Sequence, residues 1–239
     1  MHLLHRVQMQ CVFAVGLAVS FAVPASSADI ELPAITVEGQ TSKPPDIVGR
    51  DKEERSPDVH WPTALDMRWA EMFAHNAIEI NASCTTVWNC IVHAESWPQW
   101  CHGISHVKIK GNSETLEKDT KFIWSDFDLP SDYGGFMSDG RLDSQVVEYV
   151  PENRIGWRSF GSHADGGKPV SYTYHNWLIA PMGNQKCLVT FEELATGAAA
   201  RHARGNYPEF MHLSHQRWLE GLKRASENRG SKTISFTSE

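Results

Sequence analysis

A histidine and a glutamate, His175 and Glu192, come nearest in this chain to a proton-transfer pair. Each sits in a run of strand-forming residues, Val170 to Ala180 and Cys187 to Thr196, and the turn signal Met182-Gly183-Asn184 separates the two runs. A hairpin closing around Met182 to Gln185 puts His175 opposite Glu192 and Trp177 opposite Thr190. Inside an apolar cavity, loss of water and the opposite charge would act on both pKa values, which is how acid/base sites are made. The alternative is a structural cross-strand pair. A register slip of one residue moves every side chain to the other face, and Tyr174, Asn176 and Glu193 then replace the pair on the inward side.

A second set lies at helical spacing near the C-terminus, where Tyr207, Met211, Ser214 and Trp218 share a face, with His215 at its edge and His212 turned away. Tyr207 is placed at the wall or entrance of a pocket. Ser214 offers either a hydroxyl to a ligand or a small residue for close packing. The aromatics Trp88, Trp97, Trp100, Phe122, Trp124 and Trp157 are mainly core. Trp124, Trp157 and Trp177 are the strand aromatics assigned to a ligand wall, since binding sites are largely apolar with a few placed polar groups.

Twelve histidines invite a search for metal ligands. His102 and His106 straddle Gly103 at a strand start, and His212 and His215 share a helix without a clear third ligand, so no metal is expected. No glycine-rich phosphate loop, nucleophile elbow or dinucleotide fingerprint is present, and no cofactor is expected. The formal net charge of −7 and the scattered Lys and Arg residues argue against nucleic acid as a partner.

Residues 1–28 read as a secretory signal: Arg6 precedes the apolar run Cys11 to Val23, and Ser26-Ser27-Ala28 supplies small residues for cleavage. The run is short for a membrane span, which needs about 20 residues, so the expectation is a secreted or periplasmic protein with no stable span after cleavage. Four of the five cysteines then remain, in a compartment that permits disulfides. The preferred pairing is Cys84 with Cys187 and Cys90 with Cys101, the alternative being four buried thiols.

The elements that must position these groups follow from periodicity. Residues 29–60, rich in Pro, Ser and alternating charge, read as a flexible leader, and residues 61–229 as one domain. The domain begins with a helical piece around Leu65 to Phe73 and a strand over Asn76 to Asn81. A helix from Ala82 to Val92 with Ser83 as its cap comes next, then a short aromatic helix over Ala94 to Trp100, broken by Pro98. Six further strands follow: Ile104 to Lys110, Thr120 to Asp126, Arg141 to Tyr149, Ile155 to Gly161, Val170 to Ala180 and Cys187 to Thr196. One long helix runs from about Pro208 to Asn228, with Gly230 as its stop and a polar tail over residues 230–239. The predicted fold is therefore α+β, a seven-stranded antiparallel sheet wrapped around a long C-terminal helix, with two short helices after the first strand closing one end.

Several segments carry a family resemblance. Ile78-Glu79-Ile80-Asn81-Ala82 leads into Val87-Trp88 and then Trp97-Pro98-Gln99-Trp100. Phe122-Ile123-Trp124, the run from Ser144 to Pro151 and Arg154-Ile155-Gly156-Trp157 form a mid-sheet pattern. His175-Asn176-Trp177 and Thr190-Phe191-Glu192-Glu193, ending in Gly197, make a last hairpin. Over roughly Phe73 to Ala225 the chain resembles the START-like, polyketide cyclase/dehydrase superfamily of helix-grip proteins. The resemblance implies an internal cavity for a lipid, sterol-like or polyketide-like molecule, and in some members cyclisation or dehydration. Residues 126–139 and 162–172 depart from the pattern as long insertions of the kind that cover or extend a site. Three functions remain open on the sequence: a carrier or sensor of an apolar ligand, a cyclase or dehydratase using His175 and Glu192, and an interaction module.

Overall fold

Six consecutive antiparallel strands and one returning edge strand make the frame, seen in a computed structural model that describes residues 46–62, 70–126, 140–162 and 169–234. The strands are β1 (Met72–Ile80), β2 (Ile104–Ile109), β3 (Lys121–Asp126), β4 (Arg141–Val150), β5 (Arg154–Ser162), β6 (Pro169–Gly183) and β7 (Lys186–Thr196). They lie in the order β1-β7-β6-β5-β4-β3-β2. Helix α1 (Ile47–Glu54) precedes the sheet. After β1 come α2 (Cys84–Val92) and a 3-10 helix (Ala94–Gln99), and after β7 come α3 (Ala198–Asn206) and α4 (Phe210–Ile234). The fold is thus the α+β arrangement of a seven-stranded antiparallel sheet and a long C-terminal helix that the periodicity predicts, and the helix-grip fold that the family resemblance implies.

Local chemistry explains the two short helices. The Ser83 hydroxyl accepts from the Thr86 amide at 3.2 Å and caps α2. The 3-10 helix contains Pro98 and is anchored by Trp97, whose indole N–H donates to the Ile91 carbonyl at 2.9 Å. The sheet then closes on α4 through Trp218, whose ring lies 5.2 to 6.5 Å from those of Trp97, Trp124, Trp157, Trp177 and Phe191. Offset and edge-on ring pairs at these separations add to the burial of large apolar surfaces. Gly221 lets α4 approach the 3-10 helix, because a Cβ there would collide with the Trp100 carbonyl oxygen.

Cys84 and Cys187 form a disulfide that ties the start of α2 to the start of β7 across 103 residues, a closure that restricts the unfolded chain. The expected bridge between Cys90 and Cys101 is not formed. Cys90 lies on the side of α2 that meets α4, where the Ser226 hydroxyl donates to its sulfur at 3.5 Å, and Cys101 is a buried thiol just past the 3-10 helix.

Other expectations are corrected. Met72 and Phe73 are strand rather than helix, because β1 pairs with β7 from Met72 opposite Ala195 onward; residues 65–69 lie outside the described residues. Helix α4 passes through Gly230 to Ile234, since a glycine ends a helix only where the chain turns left-handed. Helix α3 was not expected. Its Ala199, Ala200 and Ala203 are buried, and Gly197 before it, at φ 106°, sits where a Cβ would be 2.5 Å from the Val170 carbonyl oxygen. Of the residues read as the insertion 162–172, Val170 to Tyr172 were also read as strand and are strand, and Pro169 joins them at the start of β6; residues 127–139, 163–168, 235–239 and the signal-like residues 1–28 lie outside the described residues.

The largest correction concerns the leader. Over residues 46–60 it is ordered: Asp46 caps α1 by accepting from the Gly49 amide at 2.9 Å, and Asp51 is only 1% exposed. The composition of this stretch points to an unstructured one because its charges show no periodicity, yet one of those charges, Asp51, is buried against a histidine of α4, His212.

Candidate functional site

The β6–β7 hairpin sets the site, and its turn explains which residues meet. Asn184 and Gln185 both adopt positive φ, 49° and 58°, so they form a two-residue turn one position later than the sequence placed it. An irregularity between Pro181 and Gly183 then takes back one position. The net slip is one residue: His175 faces Glu193, Asn176 faces Glu192 and Trp177 faces Phe191. The expected pairing of His175 with Glu192 is therefore overturned. His175 points into the grip, while Glu192 belongs to the opposite, outer face.

On the inner face the carboxylate of Glu193 is shared by two imidazoles. Its Oε2 lies 3.0 Å from His175 Nε2 on β6 and 2.8 Å from His215 Nε2 on α4. Burial alone would raise the Glu193 carboxyl, but the His175 charge and the hydrogen bonds from His175 and His215 outweigh it and hold the pKa down to about 2. An ionised carboxylate only accepts, so both Nε2 atoms carry the proton and donate. The Thr173 hydroxyl lies 3.4 Å from His175 Nδ1. His215 differs. It is 2% exposed, and among the described residues its Nδ1 is buried with no hydrogen-bond partner. Burial pushes the His215 imidazole below its usual value, against the opposing pull of Glu193.

The rings are held by stacking: His175 on Trp157 at 5.3 Å and His215 on Phe191 at 3.8 Å. Beside them is a cavity of about 70 Å³, lined by Trp124, His175, Glu193, Met211, Ser214, His215 and Trp218 among others. Further lining comes from Met72, Leu142, Ser171 and Ala195, near the ends of β1, β4, β6 and β7, and from Phe210 at the start of α4. The cavity therefore lies at the end of the sheet from which the connections 127–139 and 163–168 depart.

Of the residues singled out from the sequence, the structure brings His175, Trp124, Met211, Ser214 and Trp218 to this cavity. Trp157 and Trp177 stand behind it in the aromatic core, Trp177 stacked on Phe191 at 4.0 Å. Tyr207 lies between α3 and α4, where its amide bonds the Ala203 carbonyl at 2.7 Å, and does not line the cavity. From the sequence alone Glu193 is only the alternative to Glu192, and His215 only an edge residue. The signal for His215 was present, since Met211, Ser214, His215 and Trp218 follow the i, i+3, i+4, i+7 rule of one helix face. Among the described residues no group of three His, Cys, Asp or Glu side chains is arranged to hold a metal ion, and no helix is long and apolar enough to cross a membrane.

The outer face of the same strands carries a second polar cluster. Glu192 Oε1 accepts from His75 Nδ1 at 2.7 Å and from the Ser56 amide. The Asn176 amide donates to Glu148 Oε2 at 3.2 Å, and Arg154 Nε lies 2.8 Å from Glu148 Oε1. Burial, with the Glu148 charge nearby, pushes the Tyr174 phenol well above its ordinary value.

Comparison with known proteins agrees with this architecture. A hypothetical protein from Helicobacter pylori is 20% identical, with 72% of this chain and 98% of that one aligned at a TM-score of 0.60, and shares the fold. The Zhui aromatase/cyclase of Streptomyces sp. R1128 aligns more loosely, at 10% identity over 68% of this chain and 94% of that one, TM-score 0.49. A START superfamily protein of Mycobacterium smegmatis aligns at 14% identity over 67% and 98%, TM-score 0.44. No curated protein matches the sequence. Residues 74–227 match the family described as polyketide cyclase / dehydrase and lipid transport. The chain belongs to that polyketide cyclase / dehydrase and lipid transport family.

Proposed function

We propose that the chain binds a small apolar molecule between α4 and the sheet and moves a proton on it, with His215 as the base. One observation carries this reading: a buried imidazole lining the cavity, with Nε2 committed to Glu193 at 2.8 Å and Nδ1 left without a partner among the described residues. In this reading Nδ1 takes a proton from a carbon beside a carbonyl, and the Glu193 carboxylate stabilises the imidazolium that forms. The same Nδ1–H returns the proton to a departing hydroxyl, so a β-hydroxy carbonyl compound becomes an alkene and water. His175 and Thr173 keep Glu193 in place.

A volume of about 70 Å³ is far below the roughly 300–1,000 Å³ of a site that encloses a drug-sized ligand. Only a narrow part of the ligand reaches the imidazoles, and the remainder extends to the cavity mouth. The apolar share of the lining, Met72, Trp124, Leu142, Phe210, Met211 and Trp218, favours a second reading, a carrier that holds an apolar ligand unchanged. We also place the protein outside the cytoplasm. The signal-like residues 1–28 and the Cys84–Cys187 disulfide support this, because disulfides persist in oxidising compartments. A mature N-terminus at Asp29 in a non-cytoplasmic fraction is the expected result.

Extraction of the protein purified from its own host identifies any retained compound. Incubating that compound, or a panel of β-hydroxy ketones, with the protein in deuterated water then separates the readings. Proton transfer gives deuterium beside the carbonyl in the wild type and not in His215→Gln. Binding without incorporation in either form supports the carrier.

A further inference from the structure

The described leader lies wholly outside the family-matched segment 74–227, yet it grips the domain at both faces of the sheet edge. Asp51 of α1 presents both carboxylate oxygens to His212 Nδ1, at 3.0 and 2.9 Å. His212 is part of α4, adjacent to Met211 and less than one turn from Ser214 and His215, all three of which line the cavity. Its carbonyl oxygen also accepts from Asn76 of β1 at 3.3 Å, so the start of α4 is tied to the leader and the edge strand together. Beyond α1 the chain crosses to the outer face. The Ser56 amide donates to Glu192, the Asp58 carbonyl accepts from Arg154 at 3.1 Å, and His60 lies 3.5 Å from Glu148. Trp61 ends this path, packed edge-on against Phe73 and Tyr174 at 5.9 Å from each.

We propose that residues 46–62 are an intramolecular clamp on the cavity, which pins the first turns of α4 through Asp51 and His212 and must loosen for a ligand to pass. The use made of the cavity rests on the proposed function; the clamp itself does not. The wall it holds is the movable one: Phe210, Met211, Ser214 and His215 come from the start of a helix, whereas the opposite wall is continuous sheet. Two features make the anchor specific. Asp51 is a buried carboxylate whose partner is on α4, and breaking such a pair is costly because it leaves a charge without compensation. The outer anchors are one backbone amide, one backbone carbonyl, an exposed histidine and one aromatic ring, which release at lower cost.

Hydrogen exchange and xenon binding test the clamp in the full chain without any turnover assay, so failure of the proton-transfer reading leaves the result interpretable. In Asp51→Asn, amides of residues 210–216 should exchange at least about tenfold faster, while those of 154–162 stay as in the wild type. Xenon, a neutral probe small enough for the cavity, should enter and leave faster by NMR. Trp61→Ala, which disturbs no buried charge, should give the same pattern more weakly and serves if Asp51→Asn does not fold. Unchanged exchange at 210–216 in both variants would overturn the proposal. An equal rise at 210–216 and 154–162 would also overturn it, because the leader would then be an ordinary part of the cooperative fold.

Discussion

Glu192 and Glu193 are neighbours on one strand, both buried and both within hydrogen-bond reach of histidine, yet they face opposite sides of the sheet and meet different surroundings. On the outer side Glu192 is covered by the leader, and its Oε1 is taken up by His75 and the Ser56 amide. On the inner side Glu193 holds two imidazoles beside a cavity, and one of these retains an unengaged nitrogen. The same residue types therefore make a fastening on one face and a candidate proton-transfer site on the other. What separates them is that Glu193 and both of its histidines line the cavity of about 70 Å³.

Substitutions on the two faces should divide accordingly. The largest effect belongs to His215→Gln, which removes the proposed base; general-base loss of this kind costs about a thousandfold in turnover, seen as a fall in kcat with KM little changed. Glu193→Gln should follow, with turnover down about a hundredfold and thermal unfolding weakened by about 3 kcal/mol, as for a buried pair that loses one partner. Glu192→Gln should alter stability while leaving turnover within about threefold of the wild type. Equal turnover losses for Glu192→Gln and Glu193→Gln would erase the distinction between the faces. Gly156→Ala gives the smallest effect. Its Cβ would sit 2.9 Å from the Tyr174 hydroxyl and 3.3 Å from Asn176 Nδ2 on the outer face, an overpacking worth about 1–2 kcal/mol in denaturant titration, with proton transfer intact.

Acid sharpens the same contrast. The depressed Glu193 pKa means that the unfolded chain binds the proton more readily, so its stabilisation is present above about pH 4.5 and is lost as pH falls towards about 2. The depressed His215 pKa acts in the same direction, with its contribution present above about pH 6.5 and lost as pH falls below it. Urea titrations across this range should show wild-type stability falling on acidification. The slope below pH 4.5 should be shallower in Glu193→Gln, and that between pH 6.5 and 4.5 shallower in His215→Gln.

Much of the fold was legible because strand alternation, the Ser83 cap and the Met211–Trp218 face are local patterns, and the family resemblance pointed to the same arrangement. The site was less so. Register across the β6–β7 hairpin depends on which two residues of the turn adopt positive φ and on an irregularity near Met182, and neither is fixed by residue type. His175 was therefore placed at the centre with the wrong glutamate. The ordered leader was hidden for a different reason: Asp51 and His212 are 161 positions apart, and no periodicity reports a contact of that range. Cys90 and Cys101 show the same limit, since equal cysteine counts do not say which thiols approach.

Whether His215 can act as a base rests on where its proton sits, and nitrogen-15 NMR of the imidazole rings reads that without a substrate. At pH 7 the proton of His215 is expected on Nε2, with Nδ1 staying unprotonated until the pH falls below 6.5. A proton on Nδ1 at pH 7, whether from the other tautomer or from an imidazolium, would leave no spare base in the cavity and would contradict the assignment.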